Sequence, residues 1–325
     1  MTKQKAEWNW RPAGPILLSP LLEWPFRPKA ILQWLIAGWH LLGIRVGVLV
    51  IAILSWFYLQ PALERCVTFQ IGWILEIYIR NLCLMILVAG GCHLYFITYS
   101  KQGNKLKFDS RAMMRDSRVF LFSDQVKDNI FWTLASGVTI WTGYEVLLMW
   151  GFANGYASLL MWQDNPVWFI ALLFLQPIWG GFHFHVIHRF LHWPPVYRRF
   201  HSLHHRNINI GPWSGLSMHP VEHLLYLSGA LIHFVISSHP IHLFFQLQVK
   251  SLEAVTSHTG YESLLAGNKG VLKVGDFFHQ QHHRYFECNY GTVEVPTDRW
   301  FNSFHDGTVE ATSLLKQQRL NRLKG

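Results

Sequence analysis

Apolar residues fall into long blocks along this chain, separated by short polar stretches. A membrane-spanning helix needs about 20 mostly apolar residues, and four blocks meet that need. They run from about Ile31 to Leu59, Ile71 to Tyr99, Asn129 to Trp150 and Val167 to Ile187. A fifth stretch, Leu224 to Val249, is interrupted by Ser237-Ser238-His239-Pro240. Proline breaks a helix, so this stretch is read as two short helices forming a re-entrant hairpin. A single kinked span is the alternative.

Charges inside the blocks carry expectations of their own. Glu76 and Arg80 are four apart, on one helix face, and are expected to pair. Arg45 and Glu145 have no partner nearby in sequence. Burying such groups is costly, so each is expected to pair across helices or to border a polar cavity.

The charges between the blocks set an orientation. Lys3, Lys5, Arg11, Arg27 and Lys29 precede the first block. Lys101, Lys105, Lys107, Arg111, Arg115, Arg118 and Lys127 lie between the second and third. The first-to-second connection holds only Arg65, and the third-to-fourth holds no Lys or Arg. Positive residues stay inside, which puts the N-terminus, the 100–128 loop and the end of the fourth block in the cytosol. A hairpin at 224–249 returns the rest of the chain to the same side. The stretch Lys316 to Lys324 is a basic amphiphilic tail expected at the membrane surface.

Composition agrees with a membrane protein. Of 325 residues, 50% are hydrophobic and 14% charged, against about 25% charged in an ordinary soluble domain. The net charge of +9 could suggest nucleic acid, but the basic residues flank apolar segments and form no recognition motif. Anionic lipid accounts for them better. Cys66, Cys83, Cys92 and Cys288 form no CxxC pair, so neither a disulfide framework nor a thiolate metal site is expected. Met1 to Pro28 lacks the short apolar core of a signal peptide, and the first span is expected to be an uncleaved anchor.

Histidine changes the picture. Of 19 histidines, only His40 and His93 precede position 183. Three clusters stand out: His188 and His192 as HxxxH, then His201, His204, His205 and His279, His282, His283 as two HxxHH boxes. Residues three and four apart share a helix face, and neutral imidazole suits iron, zinc and copper. Eight imidazoles exceed the needs of one tetrahedral ion, so two metal ions in a shared cage are expected. One site needs all three boxes together, which favours the hairpin. His183 and His185 are weighed as further ligands or as supports of the ligands. His93, His233, His239, His242 and His305, with His40, are assigned ordinary core or surface roles, and His305→Ala is expected to be nearly silent.

From about 130 to 310 the chain resembles the fatty acid hydroxylase and sterol desaturase superfamily. Beyond the boxes, Met218-His219-Pro220-Val221-Glu222 resembles its His-Pro element, and Ser257-His258-Thr259-Gly260-Tyr261 its His-Ser/Thr-Gly-Tyr element. Asn289-Tyr290-Gly291 and Asp298-Arg299-Trp300 resemble the stretch after the third box. Thr297 departs from the Trp common before that Asp. The resemblance adds His219 and His258 to the metal ligands, making ten, and leaves out His223. It implies two iron ions, with zinc possible after purification, and a C–H bond of a sterol or fatty acyl lipid as the target of O2-dependent hydroxylation or desaturation.

The chain carries no GxGxxG, flavin or haem-attachment motif. Electrons are therefore expected from a partner, a b-type cytochrome or a ferredoxin with its reductase, which a basic surface with Arg198, Arg199, Arg206 and Arg284 could attract.

The expected fold is all-α, a multi-pass transmembrane helical bundle with a cytosolic histidine-rich di-metal cap. Its parts are a cytosolic N-terminal segment (1–30), N-terminal spans with a basic loop (31–128), a catalytic domain (129–310) and a basic tail (311–325). The expected location is a bacterial inner membrane or the endoplasmic reticulum. The rival readings are a metal transporter with a histidine-lined path and a non-catalytic lipid-binding relative.

Overall fold

The computed structural model describes residues 8–36 and 43–322. His40, Lys3, Lys5, Lys324 and the middle of the first predicted span lie outside the described residues. The chain is mostly helical. Two helices among the described residues are long and apolar enough to cross a membrane, Ile71–Thr98 and Pro166–Leu191. Ile44–Tyr58 is a shorter apolar helix. The predicted third span lies within a continuous helical run, 125–153, opened by Asp124, whose side chain accepts from Val126 N and Lys127 N. That run holds buried Asp128, Asn129 and Glu145 and falls short of the two helices above in apolar character.

Pro166–Leu191 shows how local sequence builds the frame. The Asn165 side chain caps the first turn and Pro166 occupies its start. One face leaves Ile170, Phe174, Phe182, Val186 and Phe190 exposed, mostly at the four-residue spacing of a single stripe. The opposite face buries Leu172, Gln176, Gly180, His188 and Leu191. The main core lies where the helices meet, around Trp73, Ile77, Trp141, Leu148, Leu216, Leu243, Phe244 and Val255. Full burial of one such Leu or Phe stabilises by about 1.5–3 kcal/mol.

The 224–249 stretch is a hairpin. Pro220–Leu227 continues to Phe234, the chain turns at Ser237 and Ser238, and Pro240–Gln248 runs on to Ser257. Tyr226 Oη donates to Lys250 O at 2.8 Å. In a single straight span those residues would stand about 36 Å apart. The turn packs near the start of Pro166–Leu191, where Trp168 Nε1 donates to Ser237 O at 3.1 Å. The hairpin as a whole therefore begins and ends near the histidine end of that helix.

Two expectations are corrected. The fold is not purely helical: Ser263–Ala266 and Lys269–Lys273 form an antiparallel pair. Gly267 at φ +62° and Asn268 make the two-residue turn, a Gly-Asn signal for a hairpin. The second correction concerns Glu76 and Arg80. Glu76 pairs with exposed Arg65 at 2.6 Å, while buried Arg80 pairs with Glu145 and bonds Gln60 and Asn81. Arg80 faces the bundle and Glu76 its rim, so Glu145, itself without a local partner, takes the buried cation. Arg45 does pair across the fold, with Glu253 at 2.8 Å and Glu294 at 2.9 Å.

The 100–128 loop is fastened to the histidine-rich end. Phe108 N donates to Gly260 O at 2.8 Å, and Gln125 Nε2 donates to Asn207 Oδ1 at 2.9 Å. The C-terminal helix Val309–Arg322 also docks there, with Arg319 Nε on Glu287 Oε2 at 2.8 Å and Leu315 against Tyr285 and Cys288.

Candidate metal centre

Two short helical stretches and two helix ends meet beyond the hairpin. Pro166–Leu191 supplies His188, with His192 at its C-terminus. The run 194–205 supplies His201, His204 and His205. Phe277–Tyr285, capped by Asp276, supplies His279, His282 and His283. His258 closes the second arm of the hairpin.

These imidazoles sort into two sets. His188, His192, His201, His205 and His282 form one, and His204, His258, His279 and His283 form the other, with potential ligand atoms within 4.8 Å of one another in each set. In the first set, Nε2 atoms approach at 3.1 Å (His188–His201), 3.1 Å (His192–His205) and 3.0 Å (His205–His282). In the second, His258–His283 and His279–His283 are both 3.2 Å. Nitrogens about 2.1 Å from one ion, at right angles, stand about 3.0 Å apart.

The hydrogen bonds behind the rings show that a cation fits. Nδ1 of His188 lies 2.7 Å from Tyr290 O, and that of His204 lies 3.3 Å from Ser217 O. His258 Nδ1 is 2.8 Å from Ala254 O, and His282 Nδ1 is 2.6 Å from Cys288 O. A carbonyl only accepts, so each of these rings carries its proton on Nδ1. Each Nε2 is then a lone pair facing other nitrogens. Burial also resists protonation: it lowers His204 to about 4 and His258 to about 3, and drives His201, His205, His279, His282 and His283 well below the ordinary range. Convergent lone pairs that cannot take protons repel unless positive ions sit among them.

Some supports escaped the sequence reading. Glu222 Oε1 sits 2.7 Å from His201 Nδ1, and burial raises its carboxyl above the usual range. Its position in the His-Pro element, as an acid between boxes, was the available signal. Asp298 accepts from Tyr290 N at 2.8 Å and Gly291 N at 2.7 Å, which steadies the carbonyl that holds His188. A Cβ at Gly291 would stand 2.7 Å from Thr297 Oγ1, so Thr297 packs tightly in the place where the family pattern has Trp.

His219 is not brought into either set. Its Nδ1 accepts from Val221 N at 3.2 Å as the cap of Pro220–Leu227, and its ring rests 4.9 Å from Phe200. That cap puts the proton on Nε2, and His219 stands apart from both sets. His223 is satisfied at both nitrogens, by Ser136 Oγ and Leu216 O, each at 3.0 Å. His183 bonds Ser228 Oγ at 3.0 Å, and His185 stacks on Phe301 with Asp298 3.8 Å away; neither joins a set.

A cavity of about 550 Å³ leads to the centre, within the usual range for small-ligand sites. Phe184, Ile187, Leu191, Met218, Phe245 and Phe278 provide apolar wall, and His188, His201, His204, His258 and His279 reach it from the two sets.

Residues 168–303 match the fatty acid hydroxylase family. The Delta(7)-sterol 5(6)-desaturase of Eremothecium gossypii is 29% identical over 157 residues, 47% of this chain and 44% of that protein. The corresponding enzyme of Saccharomyces cerevisiae is 31% identical over 121 residues, 37% of this chain and 32% of that one. Methylsterol monooxygenase 1 of Gallus gallus is 27% identical over 150 residues, 44% of this chain and 49% of that one. The chain thus spans about a third to a half of the length of these relatives. No solved structure matches it. The three boxes and the flanking elements thus lie in a region, 168–303, that matches the fatty acid hydroxylase family and is similar to sterol desaturases and a methylsterol monooxygenase.

Proposed function

We propose that this chain is an integral-membrane di-iron oxygenase that hydroxylates or desaturates a lipid at an unactivated C–H bond, with a sterol favoured over a fatty acyl chain. The observation that carries this reading is the pair of buried, lone-pair-inward imidazole sets bordering an apolar cavity. His188, His192, His201, His205 and His282 would hold one iron, and His204, His258, His279 and His283 the other. Bound iron supplies the reductive activation of oxygen that such a C–H bond requires.

The protein's part is to hold, dry and orient. The carbonyls of Tyr290, Ser217, Ala254 and Cys288 fix four ring tautomers. Phe184 and Phe278 keep the approach apolar, so an alkyl or fused-ring body enters in preference to water. The relatives named for sterols support the sterol branch.

The spans are read as a multi-pass bundle with the centre on the cytosolic face, supported by the apolar stripe of Pro166–Leu191 and the loop charges. Electrons would come from a b-type cytochrome, or a ferredoxin with its reductase, docking on the basic face. Arg198 and Arg199 are exposed there. Arg206 is engaged by Asp128 and Arg284 lies 4.0 Å over Trp8, so these two are not part of the docking face.

The test is direct. The purified full-length chain should carry about two irons and consume oxygen only with a reductant. Lipid extracts of expressing cells should show a product changed by one oxygen or two hydrogens. Metal flux through vesicles with no turnover would reject the reading.

A further inference from the structure

One half-buried cation, Lys250, is paired with neither the metal sets nor a carboxylate. Lys250 stands on the second arm of the hairpin and lines the cavity. Its Nζ donates to Gly180 O at 3.0 Å. It lies 4.9 Å from the Phe184 ring centroid and 5.2 Å from that of Tyr226. Among the described residues no carboxylate comes within ion-pair distance of it, and the two nearby acids, Glu253 and Glu294, are both taken by Arg45. A lysine ammonium has three donors, and only one of them has a hydrogen-bond acceptor among the described residues. Withdrawing an ammonium from water without an anion is costly unless something oxygen-bearing completes it.

The position is as informative as the charge. The Phe184 ring against which Lys250 sits also lies 4.8 Å from the His188 ring and 6.1 Å from the His279 ring. The ammonium and a member of each imidazole set therefore share one aromatic neighbour. An oxygen held by Lys250 would place carbons a few bonds away against the centre.

We propose that Lys250 is the polar anchor of the lipid site: it donates to an oxygen acceptor, a hydroxyl or carboxylate, at the polar end of the substrate, and so selects lipids oxidised close to that oxygen. This rests on the oxygenase reading for the site, and it goes further in naming where the polar end binds. A chain oxidised far from its head would carry that head past Lys250 and gain nothing from it. A fused-ring alcohol fits the spacing best, because its hydroxyl and the carbons of the adjoining ring are a ring's breadth apart.

The test compares matched probes on the full chain in nanodiscs: cholesterol against its analogue lacking the hydroxyl, and stearate against octadecane. In the wild type an oxygen-bearing probe should bind about tenfold tighter than its hydrocarbon partner, the scale of one charge-assisted hydrogen bond. Preference in the cholesterol pair identifies a hydroxyl head, and preference in the stearate pair a carboxylate; either supports the anchor. Lys250→Met should reduce the preference to about twofold or less with iron content unchanged, and Lys250→Gln, which keeps donors, should retain part of it. A residue that merely ties the hairpin to Gly180 would lower thermal stability and leave the preference intact. No preference in the wild type, or a full preference in both variants, overturns the proposal. Loss of the oxygenase reading would instead appear as a wild type without iron or turnover, whatever the probe preferences.

Discussion

The two imidazole sets use the same motif in opposite senses. In the second box, His201 and His205 enter the five-member set while His204, between them, enters the four-member set. In the third box, His279 and His283 enter the four-member set and His282 the five-member set. Each HxxHH box thus lends its i and i+4 rings to one set and its i+3 ring to the other, and the two boxes exchange roles. The rest of each set comes from elsewhere. His188 and His192 complete the larger set from the end of a long helix, and His258 alone completes the smaller. The exchange makes neither proposed ion independent of the other, because losing either box strips both. The difference in number would leave an ion in the four-imidazole set more room for non-protein ligands.

The largest expected effect breaks that reciprocity one ring at a time. His282→Ala and His204→Ala should each remove turnover and lower iron from about two to about one per chain, with membrane insertion intact. Iron content should fall through the larger set in the first variant and the smaller set in the second. Full activity in either would show that the ligand sets are misassigned.

Glu222→Gln comes next, because Glu222 supports only the larger set through His201. Metal affinity should fall about 10–100-fold for one ion, read by chelator competition as one early and one late release. Equal release of both would mean the sets share their supports.

Acid should act on both sets of the metal-free chain. Burial lowers His204 and His258 of the smaller set to about 4 and about 3 in the folded chain and drives His201 and His205 of the larger set well below the ordinary range, whereas ordinary histidine titrates near 6.5. Below that value the unfolded chain takes up protons that the folded chain refuses. The stability from these neutral rings is whole above about pH 6.5 and falls as pH drops toward 4. A melting temperature that stays flat from pH 7 to 4.5 would contradict this.

Two smaller effects mark the limits of the sets. His305 accepts from Gly307 N at 3.1 Å, and its own N donates to Asn289 Oδ1 at 2.7 Å, beside Gln281 of the third-box helix. The side chain is buried, so His305→Ala is expected to cost about 1–3 kcal/mol while iron content holds, rather than being silent as the sequence suggested. His219→Ala should be the mildest, with iron unchanged and only the cap on Val221 N lost. Loss of an iron from that variant would return His219 to the ligand sets.

Much of the site was legible because imidazole spacing is a local property. An i, i+3, i+4 pattern puts rings on one side of any helix that forms, and eight of the nine converging histidines come from the three boxes. His258 and His219 came from flanking elements of equal standing, and only folding separated them. The Ala254 carbonyl orients the first, whereas a helix cap occupies the second. Partners of buried charges were the least legible. Glu76 and Arg80 are close in sequence yet pair with Arg65 and Glu145, because the faces of one helix meet different neighbours.

Sequence alone determined the apolar blocks, the sidedness of the loop charges and the existence of a histidine cage, since each depends on periodicity or composition over a short stretch. Tertiary structure decided which ring joins which set, which carbonyl fixes its proton, and that Lys250 lines the cavity beside Phe184, a neighbour of His188. Those assignments depend on distances between segments tens of residues apart, which helix packing sets and no local pattern encodes.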